Sequence, residues 1–140
     1  MYVWELEMRR TKEEAELTRE LLLKAALTVF SRKGYADAKL EEIAAEANLT
    51  RGALYHHFAG KAELYNTLVA QASSRIMPVI EEAMRRGGRS VELLQRLLVA
   101  TLIFVVDDPI YRAVNELVLF KTELSHDLAA GMEMKQAGTR

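Results

Sequence analysis

The chain has no cysteine among its 140 residues. Disulfides and thiolate metal sites are therefore excluded, and a reducing compartment suits it. Proline is nearly absent, with only Pro78 and Pro109, and no run alternates Val, Ile or Thr with polar residues as a half-buried strand would. Long hydrophobic stretches are missing too. Residues 97–106 form a strongly apolar run that is too short to span a bilayer and is expected to be a buried helix. The start, Met1-Tyr2-Val3-Trp4-Glu5, lacks the basic residues and apolar core of a signal peptide. A cytoplasmic location without membrane contact is the expectation. Neither sign of charge dominates, since 19 Lys and Arg stand against 20 Asp and Glu. A nucleic-acid binder carries a basic footprint, so any footprint here must be local. The chain also lacks a Gly-x-Ser-x-Gly elbow and a Gly-x-x-x-x-Gly-Lys phosphate loop. Neither an enzyme nor a cofactor is expected.

What is present is helical pattern. Half of the residues are hydrophobic, enough for a soluble globular core, and they recur at spacings of three and four, which predicts an all-α protein. Thr11-Lys12-Glu13-Glu14 has the capping-box form and should start a first helix ending near Lys33, at Gly34. The inner stripe of that helix is Leu22, Ala25, Ala26, Val29 and Phe30. Residues 1–10 precede it as an extension in which Tyr2 and Trp4 are expected to be disordered. A short second helix turns Leu40, Ile43, Ala44 and Ala47 inward and Glu41, Glu42 and Glu46 outward. A long helix from Lys61 has Leu64, Leu68, Ala72, Ile76 and Ile80 as its inner row, with Pro78 set to kink it or to begin a new helix. Gly87-Gly88 ends that segment, and Ser90 should cap the apolar helix that follows. Asp108 and Pro109 mark a further start, for a helix running to about residue 134 with Val114, Leu117, Val118, Leu124 and Leu128. The tail, residues 135–140, is expected to fray.

Between residues 48 and 62 there is no Asp or Glu, in a chain where acids outnumber bases. Asn48 tolerates a positive φ, and Thr50 can cap a third helix through its hydroxyl. Leu54 and Phe58, four apart, then face the core, while Arg51, Gly52, Tyr55, His56, His57 and Lys61 stay exposed. A helix, a tight turn and a second helix presenting polar groups is helix-turn-helix geometry, suited to a DNA groove. His56 and His57 do not suggest a metal: neighbours on a helix diverge, and no third ligand sits at the right spacing.

Thr18-Arg19, Ala25-Ala26, Phe30, Gly34-Tyr35, Ile43-Ala44, Ala47, Thr50-Arg51-Gly52-Ala53-Leu54-Tyr55-His56-His57-Phe58, Lys61 and Leu64 occur in an order that resembles the DNA-binding domain of the TetR/AcrR family of bacterial transcriptional repressors. With residues 8–15 in front, the pattern is most similar to the AcrR-like branch, regulators of drug-efflux genes, and that branch suggests Met8 as a start. The resemblance implies a repressor that binds a palindromic operator in double-stranded DNA as a homodimer and is released by a small hydrophobic effector. It implies phosphate contacts for Thr50 and Tyr55, base readout for Arg51, a base or thymine-methyl contact for His56, and close backbone approach at Gly52. His57 and Lys61 would clamp phosphate. Lys39, with Ala38, stands where the family usually has Ser or Thr, and would serve as a plain cation; Asn48 replaces a common glycine.

The expected domains are the extension 1–10, a helix-turn-helix DNA-binding domain 11–60, and a shortened TetR-like helical domain 61–140 for ligand binding and dimerisation. Met84, Ile103, Phe104, Leu119 and Phe120 are either plain core or, as the resemblance implies, the wall of an effector pocket that Asn115 and Glu116 would face. Relatives continue past this length into two helices that pair subunits. The alternative to a repressor is therefore a truncated helical interaction module that no longer binds operator DNA as a homodimer.

Overall fold

The computed structural model describes residues 2–121. Within them lie six helices and no strand: α1 (Val3–Asp37), α2 (Leu40–Glu46), α3 (Arg51–His57), α4 (Lys61–Arg85), α5 (Ser90–Asp107) and α6 (Pro109–Phe120). The all-α expectation holds. Leu124, Leu128 and the remainder of the expected last helix lie outside the described residues.

The first helix begins earlier than its capping pattern suggests. Thr11 is inside α1, and its hydroxyl donates to the carbonyls of Glu7 (3.1 Å) and Met8 (3.0 Å) instead of capping. The reason is local: the preceding residues, rich in Glu, Leu, Met and Arg, are themselves good helix formers. Arg9–Glu13 and Arg10–Glu14 pairs bridge successive turns across the supposed boundary. Tyr2 and Trp4, expected to be disordered, stack on each other at the exposed start of this helix. At the other end Gly34 interrupts α1 with φ +80°, and one further turn carries the chain to Asp37.

The core is built as the periodicity predicts. Leu22, Ala26, Val29 and Phe30 of α1 are fully buried against Ile43 of α2, Leu54 of α3 and Leu64 of α4. Tyr35 and Tyr65 meet edge to face at 5.2 Å, with Phe30 beside both, a favoured aromatic geometry. Val114 and Leu117 of α6 belong to the same cluster. The Tyr35 N–H donates to the Lys121 carbonyl (3.0 Å) and Lys121 Nζ to the Ser31 carbonyl (2.7 Å), so the end of α6 is bonded to the end of α1. An added Cβ at Gly34 would come within 3.2 Å of that Lys121 carbonyl, beside its positive φ, which explains the glycine.

Helix α4 runs through Pro78 as one element and does not restart there; proline removes one ladder bond and the rest of the long helix holds. Gly87 and Gly88 have positive φ and end the segment. Ser90 is the first residue of α5, not its cap; Glu92 accepts the Arg89 N–H at 3.1 Å instead. Asp108 caps α6 as expected, accepting from the N–H groups of Ile110 (3.1 Å) and Tyr111 (2.9 Å), while Arg75 of α4 pairs with its other oxygen. One expectation about α5 fails. No residue of α5 is buried, and Leu94, Leu98, Leu102 and Val106 are exposed along one side. Its apolar run is wider than the face that α4 and α6 cover.

Candidate nucleic-acid interface

The link between α2 and α3 is a helix stop followed by a helix start. Ala47 closes α2, and Asn48 takes φ +55°. The Asn48 N–H bonds the Ala45 carbonyl (3.0 Å) and the Leu49 N–H bonds the Ala44 carbonyl (2.8 Å), the pairing of a Schellman stop. Leu49 is partly buried and packs on the core. Thr50 then accepts the Ala53 N–H through Oγ1 at 3.1 Å, satisfying one of the orphan donors of α3. Leu54 and Phe58 are buried as anchors. The angle and register of α3 are fixed from both ends and from beneath.

Its outer side carries the expected polar set. Arg51, Gly52, Tyr55 and His56 are exposed, and His57 is half-buried. At Gly52 an added Cβ would meet nothing nearer than Thr50 Oγ1 at 3.9 Å, so the fold itself does not require glycine there. Lys39 is exposed at the start of α2. Its N–H is capped by the Glu42 carboxylate (3.2 Å), which also pairs with Lys33. The Lys33 hydrogen bond, then the Lys39 N–H, hold the Glu42 carboxyl below the usual carboxylate range.

Lys61 departs from its expected role. Its ammonium donates to the carbonyls of Ala36 (3.1 Å) and Ala38 (3.2 Å) and lies 4.6 Å from the centre of the Tyr35 ring. It fastens the start of α4 to the α1–α2 link, satisfying carbonyls that no helix ladder serves. A second residue escaped sequence reasoning: Glu41, whose carboxylate reaches Arg51 across the turn at 2.7 Å. Nothing in its spacing signalled this, because the pair forms only once α2 and α3 are set against each other.

The seven pocket candidates do not share one cavity. Ile103 lines an open cleft of about 840 Å³ between α4 and α5, with Pro78, Val79, Ala83, Val99 and Ala100, rimmed by charged residues. Phe104 instead packs edge-on against Tyr111 at 5.0 Å, and Asn115 Nδ2 donates to the Tyr111 carbonyl at 2.9 Å. Met84, Glu116, Leu119 and Phe120 are exposed. Of the seven, only Ile103 lines that cleft, while Phe104 and Asn115 are engaged with Tyr111. Among the described residues no group of His, Cys, Asp or Glu is arranged to hold a metal, and no helix is long and apolar enough to cross a membrane.

A capped helix seated across a tight turn, with cations and hydrogen-bonding groups on its outer side, defines the helix-turn-helix class. A family model described as bacterial regulatory proteins of the tetR family matches residues 22–68. The uncharacterized HTH-type transcriptional regulator TtgW of Pseudomonas putida is 34% identical over 113 residues, covering 81% of this chain and 81% of TtgW. The chain belongs to the TetR family of bacterial regulatory proteins. The HTH-type transcriptional regulator AcrR of Shigella flexneri is 33% identical over 122 residues, covering 86% of this chain and 57% of AcrR. The crystal structure of NalD, described as the secondary repressor of the MexAB-OprM multidrug efflux pump in Pseudomonas aeruginosa, superposes with a TM-score of 0.73 at 29% identity, covering 89% of this chain and 62% of NalD. The chain thus spans a little over half the length of relatives such as AcrR.

Proposed function

We propose that the protein is a sequence-specific DNA-binding transcriptional regulator of the cytoplasm, a repressor that places α3 in the major groove of a palindromic operator. The observation that carries this is the division of α3: Leu54 and Phe58 are buried, whereas Arg51, Gly52, Tyr55 and His56 are exposed together on a helix whose position is fixed by the Asn48 turn and the Thr50 cap. Arg51 is the base reader, since a guanidinium can bond two acceptors of one guanine. Thr50, Tyr55, His57 and Lys39 contact phosphate and set the register. Lys61 supports this surface from behind.

Two such helices, one from each subunit of a homodimer, would read half-sites about 34–36 Å apart. The apolar residues that α5 leaves exposed support association with a second copy. The cleft between α4 and α5, apolar with a charged rim, suits a small hydrophobic effector. An effector that prefers one spacing of the two reading helices would shift the population and release the operator. NalD is described as the secondary repressor of a multidrug efflux pump, and repression of efflux genes is the reading for this chain. The test is equilibrium binding to the preferred palindrome. Arg51→Ala combined with Tyr55→Phe should weaken binding by at least about 10-fold, within the range that one bidentate base contact carries. Unchanged binding would overturn the assignment of α3.

A further inference from the structure

Two adjacent acids open α2, and their situations differ. Glu42 is consumed by the fold, capping the Lys39 N–H and pairing with Lys33. Glu41 also lies in the first turn of α2, where a negative charge is favoured, but the N-cap bond is made by Glu42. The Glu41 carboxylate lies on Arg51 Nη1 at 2.7 Å, while Arg51 Nη2 donates to the Tyr55 hydroxyl at 3.3 Å and the guanidinium sits 5.5 Å from the centre of the Tyr55 ring. The guanidinium is thus held on two edges, one by each helix of the motif.

We propose that Glu41 is a positioning residue for base readout, orienting the Arg51 guanidinium before DNA arrives and so setting discrimination at one base pair. The inference rests on reading α3 as the recognition helix. An exposed arginine samples many rotamers, and its fork reads a guanine well only when the plane is fixed. Of its five N–H groups two are engaged by Glu41 and Tyr55, leaving enough for the two acceptors of a guanine. The arrangement has a cost. A carboxylate at the edge of a DNA-facing surface repels phosphate at every sequence. Arg51 also opens α3, where a helix N-terminus disfavours a cation. A Glu41 that merely offset that end effect would change stability and leave selectivity alone. A positioning Glu41 changes selectivity, and its removal lowers specific affinity relative to non-specific affinity.

The experiment compares the full chain with Glu41→Gln, Arg51→Lys and the double variant. Affinity is measured at one salt concentration for the preferred site, for the same site with the base pair under Arg51 replaced, and for unrelated duplex DNA. Glu41→Gln should bind unrelated DNA as tightly as the parent or more tightly, while discrimination at the Arg51 base pair falls by roughly 5-fold, the lower end of what a good bidentate contact supplies. In the Arg51→Lys background, where no fork remains to orient, Glu41→Gln should leave discrimination unchanged. If Glu41→Gln keeps the parent's discrimination, or tightens binding equally at all three DNAs, Glu41 only repels phosphate and the proposal is wrong. If the parent itself prefers no sequence, the recognition-helix reading falls and this proposal with it.

Discussion

Thr50→Ala tests whether the recognition helix is held as the structure indicates. Helix α3 has seven residues, far below the length at which an isolated helix persists in water. It is kept by the buried anchors Leu54 and Phe58 and by the Thr50 oxygen on the Ala53 N–H at 3.1 Å. Losing an N-cap oxygen costs about 1 kcal/mol, roughly a 5-fold change in the balance between formed and frayed helix. In a domain of this size that corresponds to a melting temperature lower by about 2–8 °C. Because α3 is anchored by Leu54 and Phe58 and so mostly formed, a 5-fold shift in that balance barely lowers the competent fraction; a clear loss of operator affinity therefore reports the hydroxyl's own phosphate contact. Thr50→Ser retains the oxygen and should recover most of both losses. Thermal unfolding followed by circular dichroism, alongside equilibrium DNA binding, reads the two effects. A Thr50→Ala variant that melts and binds like the parent would refute the reasoning.

Three other perturbations address the frame around the site. Asn48→Val forces a β-branched residue into φ +55° and should destabilise by about 1–2 kcal/mol, whereas Asn48→Gly should be near neutral; denaturant unfolding separates them. Leu117→Ala empties a fully buried position of α6 and should cost about 2–5 kcal/mol. Because Leu117 shares the core of α1 to α4, melting should remain one transition at lower temperature. The Asp108 carboxyl is held below the usual carboxylate range by the Tyr111 N–H, with the Arg75 and Ile110 bonds adding to it. A depressed folded-state pKa contributes stability that is present above the unfolded value and lost as pH falls through the folded one. Melting temperature should therefore drop on acidification below about pH 4, the ordinary carboxylate region, and Asp108→Asn should flatten that acid-side slope; an unchanged slope would remove Asp108 from the account.

The α2–turn–α3 unit was legible because each of its signals is local: Asn48 for the turn, Thr50 for the cap, Leu54 and Phe58 for the buried side. The inner rows of α1 and α4 were legible for the same reason, since periodicity reports directly which side seeks burial. The failures need distance or context. Thr11-Lys12-Glu13-Glu14 matches a capping box, but whether the cap is used depends on how well residues 3–10 continue the helix. The apolar run of α5 declares a demand for burial without saying what meets it, and α4 and α6 cover only part of it. Lys61 finds the carbonyls of Ala36 and Ala38, and Arg51 finds Glu41, through contacts that exist only after the helices are placed. The pocket candidates combine five apolar residues with the polar Asn115 and Glu116 across three helices, and of the seven only Ile103 lines the α4–α5 cleft.

Selection of bound duplexes from a random pool, using the full chain, tests the central claim most directly. The account predicts recovery of a palindrome whose half-sites lie about one helical turn or a multiple apart, with a guanine at a fixed position in each that Arg51→Ala leaves unselected. A pool that emerges unenriched, or one whose preferred sequence is indifferent to Arg51, would contradict it.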